Sequence, residues 1–146
     1  MPLTAIVLAA GEGTRMKSHH PKIVHKLLDK PLVWWSVNAA ITAGADRVIV
    51  VVGNHADEVK SALSCFPNLE YVAQTERLGT GHAVKVVKDA LGGFKGPVVV
   101  INGDASLLRA QSILDLVAET KAHHNACTVL TMTPPDPTGY GRVISS

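Results

Sequence analysis

Uninterrupted apolar runs, each ending in a polar or glycine-rich turn, constrain the fold of this chain more than any other feature. Thr4-Ala5-Ile6-Val7-Leu8, the stretch 47–52 and the stretch 97–101 are rich in Val and Ile and do not alternate with polar residues. Such runs suit strands buried on both faces of a parallel sheet. The stretches between them have helical character. Residues 31–43 suit a helix with Pro31 near its first turn and Gly44 past its end. Residues 55–63, 80–91 and 110–123 suit three more, the second closed by Gly92-Gly93. Residues 70–73 and 126–132 read as further strands, and 142–144 as the start of another. This βαβ alternation predicts an α/β fold: a doubly wound, mostly parallel sheet with helices on both faces. The 146 residues fit one domain, 1–146, without internal repeats or a low-complexity linker.

Sheets of this kind bind ligands beyond the carboxyl ends of their strands. Gly11, Gln74 and Asp104 each follow such an end, so their segments should converge. The first segment, Leu8-Ala9-Ala10-Gly11-Glu12-Gly13-Thr14-Arg15-Met16 with Pro21-Lys22, is directed at phosphate. Gly11 and Gly13 let the backbone approach a ligand, and successive N–H groups make a concavity for anions. Arg15 adds a forked, permanently charged donor and Lys22 a point charge, aimed by Pro21. The P-loop pattern is absent, because no Gly-Lys-Ser/Thr follows. The dinucleotide fingerprint is absent too. Met16 stands where a small residue is needed, and Val50-Val51-Val52-Gly53-Asn54 supplies no acidic residue.

Asp104, after Val98-Val99-Val100-Ile101-Asn102-Gly103, is a hard oxygen ligand placed to hold Mg2+, or else a turn or helix-capping aspartate. Gln74 offers a donor and an acceptor to a base edge. Gly79 and Gly81 would admit a flat base, and Thr80 would cap the following helix. Other features read more plainly. His19-His20 and His123-His124 are adjacent pairs, which do not share a helix face as metal ligands do. His82 reads as packing or capping locally, Trp34-Trp35 as part core and part contact, and Asp57-Glu58 as a solvated helix surface.

Composition bounds the partners. The net charge of +2 gives no support to a nucleic-acid role. No apolar stretch reaches membrane-spanning length and no leader pattern precedes the first strand, which predicts a cytoplasmic protein without a membrane partner. Cys65 and Cys127 lack a metal spacing and read as reduced core residues. Should the sheet keep an open edge, a second copy of the chain could cover it and make a homo-oligomer.

The opening motif resembles that of the sugar-phosphate nucleotidyltransferases. Gln74-Thr75-Glu76-Arg77-Leu78-Gly79-Thr80-Gly81-His82-Ala83 and Asp136-Pro137-Thr138-Gly139-Tyr140-Gly141-Arg142-Val143 narrow the resemblance to the N-terminal domain of bacterial bifunctional N-acetylglucosamine-1-phosphate uridyltransferases, of the GlmU type. The resemblance implies a Rossmann-like nucleotidyltransferase fold, C-terminally truncated relative to the family, without the acetyltransferase β-helix domain. It implies transfer of UMP from UTP to a sugar 1-phosphate, releasing pyrophosphate, with Mg2+. Arg15 would hold the leaving pyrophosphate and Lys22 would neutralise charge at the reacting phosphates. Leu8, Ala9, Ala10, Gly11, Gly13, Asn102 and Gly103 would line the substrate, Gln74, Gly79 and Thr80 would contact uracil, Gly141 would face the sugar, and Asp104 would bind the metal. The chain departs from the family in Asp104-Ala105-Ser106-Leu107, which lacks the usual proline, and in Asn102, where an aromatic residue is common. Two alternatives stand beside this reading. One is a non-catalytic module or fragment that binds UTP without an acceptor half. The other is a guanylyl- or cytidylyltransferase of the same fold.

Overall fold

A computed structural model describes residues 2–11, 19–76 and 78–144. The chain begins with β1 (Thr4–Ala9), followed by a short 3-10 turn at Lys22–Val24 and a small antiparallel hairpin of β2 (Lys26–Leu27) and β3 (Lys30–Pro31). Then come α1 (Leu32–Thr42), β4 (Arg47–Val52), α2 (Ala56–Ala62), β5 (Leu69–Ala73), α3 (Thr80–Lys85), α4 (Lys88–Leu91), β6 (Val98–Asn102) and α5 (Ala110–Ala122). Four strands form one parallel sheet in the order β5-β4-β1-β6.

The apolar runs of β1 and β4 became strands because both of their faces are covered. Ala5, Val7 and Ala9 of β1 join Val48, Val50 and Val52 of β4 against Val33 and Val37 of α1, Val59 of α2 and Ile113 of α5. On the opposite face, Ile6, Ile49 and Val51 pack against Ala83 of α3 and against Val87. The doubly wound arrangement is therefore present. Each of these buried Val and Ile side chains contributes about 1.5–3 kcal/mol relative to exposure. Arg47 straps β4 to β5 through a two-point pair with Glu70, Nε to Oε1 and Nη2 to Oε2, both at 2.8 Å. The same Nη2 donates to the Ala90 carbonyl at 2.9 Å and so ties α4 to the sheet. This pair holds the Glu70 carboxyl below its ordinary pKa, and hydrogen bonding to Arg47 is the main cause.

Several expectations change. The single helix over 80–91 is two, broken at Val86-Val87, where the Val87 N–H donates to the Val84 carbonyl three residues back at 3.2 Å. Two adjacent β-branched residues sit in that tighter turn. Gly92, with φ of +55°, does close α4. Residues 126–132 and 142–144 form no strand. Residues 126–130 instead flank a groove of about 610 Å3 beside β6 without joining its ladder. Strand-forming composition without a paired edge leaves most of this stretch exposed. Val98 and Val100 are part-exposed while Val99 and Ile101 are buried, so β6 is covered on one face only.

Both cysteines are exposed, not core. Leu63 takes the buried position at the end of α2, and Cys65 lies beyond it, accepting from Trp34 Nε1 at 3.3 Å. Cys127 belongs to the unpaired stretch. Trp34 stacks edge-on against Trp35 and tilted against Phe66. Among the described residues, no helix is long and apolar enough to cross a membrane.

Candidate functional site

The sheet order creates the site. From β1 the chain steps to β4 and β5 on one side, then returns to place β6 on the other. The crevice beyond the carboxyl ends of β1 and β6 is thus a topological switch point, where α/β sheets bind ligands. A cavity of about 390 Å3 opens there, within the range of small-molecule sites. Leu8, Ala10 and Gly11 come to it from β1, Asn102, Gly103 and Asp104 from β6. Lys22 arrives on the 3-10 turn, Gln74 from the end of β5, and Gly79 and Thr80 from the start of α3. Ten of the residues singled out in the sequence therefore meet in one cavity.

Two glycines permit this convergence. The Gly103 N–H donates to the Leu8 carbonyl at 2.9 Å, and a Cβ on Gly103 would stand only 2.6 Å from that same oxygen. A Cβ on Gly53 would stand 2.8 Å from the Ala10 carbonyl. Any other residue at either position would push the β1 end out of line. The β6 end is held from behind by Ser36, fully buried in α1, whose Oγ donates to the Asn102 carbonyl at 2.9 Å.

Lys22 is aimed by its local fold. Pro21 holds an extended conformation before the turn, Ile23 is buried, and the His25 N–H closes onto the Lys22 carbonyl at 3.1 Å. Just upstream, His20 Nδ1 lies 2.7 Å from Glu58 Oε2, while His55 Nδ1 lies 2.9 Å from the other oxygen. These bonds, His20 first, lower the Glu58 pKa. Glu58 is thus more than solvated surface: it ties the segment leading into Lys22 to α2. Lys22 Nζ donates to Asp104 Oδ2 at 2.8 Å, a pair closed between residues 82 apart with both side chains about two-fifths exposed.

Gln74 anchors the opposite wall. It is only 7 % exposed, and its N–H donates to the Val52 carbonyl at 2.8 Å. Its side-chain Nε2 donates to the Gly79 carbonyl at 3.2 Å and lies 3.1 Å from His82 Nδ1. Gly79 has φ of +94°, a conformation for glycine. Gly79, not Thr80, occupies the capping position of α3; Thr80 is the first helical residue, and among the described residues no side chain caps the helix. The reason is that the Gly79 carbonyl already takes the Ala83 N–H at 3.1 Å, which makes Gly79 the entry residue.

Two expected residues do not join this set, and two more cannot be placed in it. Ala9 is buried on the other face of the sheet. Gly141 is exposed and does not line the cavity; Arg142 beside it donates to the Pro137 and Tyr140 carbonyls. Gly13 and Arg15 lie outside the described residues. Ile23 and Ala83 supply apolar wall that the sequence reading overlooked. Their signal was adjacency to Lys22 and one helical step from Thr80.

The chain matches the family model of the MobA-like NTP transferase domain over residues 5–143. It is 47 % identical over 138 residues to the bifunctional protein GlmU of a Cyanothece species, covering 94 % of this chain and 30 % of that protein. It is 48 % identical over 137 residues to the GlmU of a Picosynechococcus species, again covering 94 % of this chain and 30 % of the relative. The chain thus spans about 30 % of the length of the curated relatives it matches. Among solved structures, the Rv0371c protein of Mycobacterium tuberculosis in complex with manganese superposes with a TM-score of 0.69 at 20 % identity, covering 84 % of this chain and 61 % of the other. At that identity the likeness concerns the fold.

Proposed function

This chain belongs to the MobA-like NTP transferase domain family, and we propose on that premise that it carries the site of a uridyltransferase. The reaction moves UMP from UTP to a sugar 1-phosphate, N-acetylglucosamine 1-phosphate first among them, and gives a UDP-sugar and pyrophosphate. The observation that carries this reading is the meeting of Lys22 and Asp104 at the switch point, facing Gln74, Gly79 and Thr80 across one cavity. A cation, a carboxylate and a base-sized polar wall are the three parts that a nucleotide needs. Identity to GlmU proteins over nearly the whole chain supports the uridine and sugar assignments.

The attacking phosphate oxygen is already anionic, so the site needs no general base and no covalent nucleophile. Catalysis reduces to positioning and charge stabilisation. Backbone N–H groups at Ala10 and Gly11 would cradle phosphate, and Lys22 would hold charge between the nucleotide and the incoming phosphate. Arg15 is assigned the leaving pyrophosphate. The donor set fits a divalent cation shared with substrate. Among the described residues no three His, Cys, Asp or Glu side chains form a metal cage, and Asp104 offers one hard carboxylate. Mg2+ is commonly held by one carboxylate together with waters and substrate phosphates. When bound it would neutralise triphosphate charge; the manganese complex of the related fold supports a divalent ion.

A coupled pyrophosphate-release assay with UTP, Mg2+ and a panel of sugar 1-phosphates tests the proposal, with release expected for N-acetylglucosamine 1-phosphate. A second reading, a module that binds nucleotide without turning it over, is favoured by Gly141, which stands outside the cavity. Thermal stabilisation by UTP without pyrophosphate release would establish that reading and overturn the first.

A further inference from the structure

We infer that His82 is a positioning residue for base selection, acting by fixing the amide of Gln74 so that only its oxygen is left for a ligand. Both partners of Gln74 Nε2 are acceptors. The Gly79 carbonyl at 3.2 Å can only accept, and His82 Nδ1 at 3.1 Å accepts when the ring carries its proton on Nε2. The two N–H bonds of the amide are therefore spent inside the protein. Turning the amide over would set Oε1 against the Gly79 oxygen and the His82 lone pair, which no proton would bridge. Among the described residues no hydrogen bond reaches Gln74 Oε1, and it is no buried orphan. With Gln74 more than nine-tenths buried yet lining the cavity, that oxygen is what the site shows a base.

A fixed acceptor chooses among bases. It receives a hydrogen bond from a ring N–H on the pairing edge, which uracil and guanine present. Cytosine and adenine present a ring nitrogen lone pair there and would repel it. A site that hydrogen-bonds a substrate N–H discriminates strongly against an analogue lacking it. This inference rests on the nucleotide-binding reading above and adds to it the residue that sets the base.

The test measures dissociation constants for UTP and CTP, each with Mg2+, by calorimetry. The wild-type chain should bind UTP more tightly. In His82→Leu one acceptor is gone and one amide N–H is free to turn toward the base, so the UTP-over-CTP preference should fall about fivefold, the worth of one hydrogen bond. In His82→Asn an amide oxygen takes the place of Nδ1, and the preference should return. A change that merely loosens packing would weaken both nucleotides alike and leave their ratio unchanged. An unchanged ratio in His82→Leu overturns the inference. If His82→Leu melts before it can be measured, His82→Asn decides: a folded His82→Asn that keeps the ratio supports the role, and one that loses it overturns the role. A wild-type chain that binds neither nucleotide overturns the functional reading and this inference with it.

Discussion

Replacing Lys22 with alanine should change cation binding in opposite directions with and without nucleotide. In the ligand-free site Lys22 Nζ sits 2.8 Å from Asp104 Oδ2. An ammonium there occupies the carboxylate that a divalent ion would need. Both side chains are about two-fifths exposed, so the pair is worth about 0.5–1 kcal/mol after solvent screening. Removing Lys22 should cost the fold no more than that. It should raise the affinity for Mn2+ alone by about two- to fivefold, because the ion no longer displaces a partner. With UTP present the sign should reverse. Lys22 then faces phosphate, and a hydrogen bond to a charged group is worth about 1.5–3 kcal/mol, so Mn2+-UTP should bind about ten- to a hundredfold more weakly. Turnover should fall by at least as much. Calorimetric titration of Mn2+ with and without UTP reads both effects on one sample. Equal or weaker binding of Mn2+ alone in Lys22→Ala would show that the ammonium does not compete for Asp104, and would refute the reasoning.

Gly103→Ala should destabilise the fold by about 1–3 kcal/mol, the usual cost of overpacking, since the new Cβ meets the Leu8 carbonyl at 2.6 Å and backbone must move; a urea midpoint equal to wild type would reject this. Arg47→Met should remove about 1 kcal/mol or less at pH 7, because the pair it breaks is partly exposed. Glu70 is held below its ordinary pKa, so the stability it adds is present above the unfolded value near ~4.3 and is lost as pH falls through the lower folded value. The difference between wild type and Arg47→Met should therefore close on acidification, and urea titrations at pH 7 and pH 3 that show a constant gap would contradict it.

The strands were legible where burial on both faces leaves no alternative to apolar residues. β1 and β4 are such cases, and α1 was legible from Pro31 and Gly44 at its ends. Residues 126–132 carry equally strand-like side chains, yet among the described residues no strand pairs with them. A strand is a relation to a neighbour, and the neighbour is not in the local pattern. The same holds for the site. Motifs at three strand ends could be read one at a time, but strand order could not. Lys22 meets Asp104 because β6 pairs with β1 and not with β5, a choice made by packing over the whole sheet.

The glycines show most clearly how a residue can be right and its reason incomplete. Gly79 and Gly81 were read as making room for a flat base. Nothing lies within 4 Å of where a Cβ on either would stand, so no neighbouring part of the protein demands glycine at these positions. At Gly79 it supplies φ of +94°. That conformation turns the carbonyl to receive both Gln74 Nε2 and the Ala83 N–H. A side chain there would strain the backbone, and relieving the strain would move the carbonyl. Gln74 would then lose one of the two acceptors that orient it. In the proposed site the glycine would act on the base through a side chain five residues earlier in the chain, and only the backbone angle reveals it. The wall at the end of β1 works differently. Gly53 and Gly103 are glycines because the end of β1 passes within contact of them. One cavity thus uses the same residue type for an angle at the start of α3 and for close approach at the end of β1.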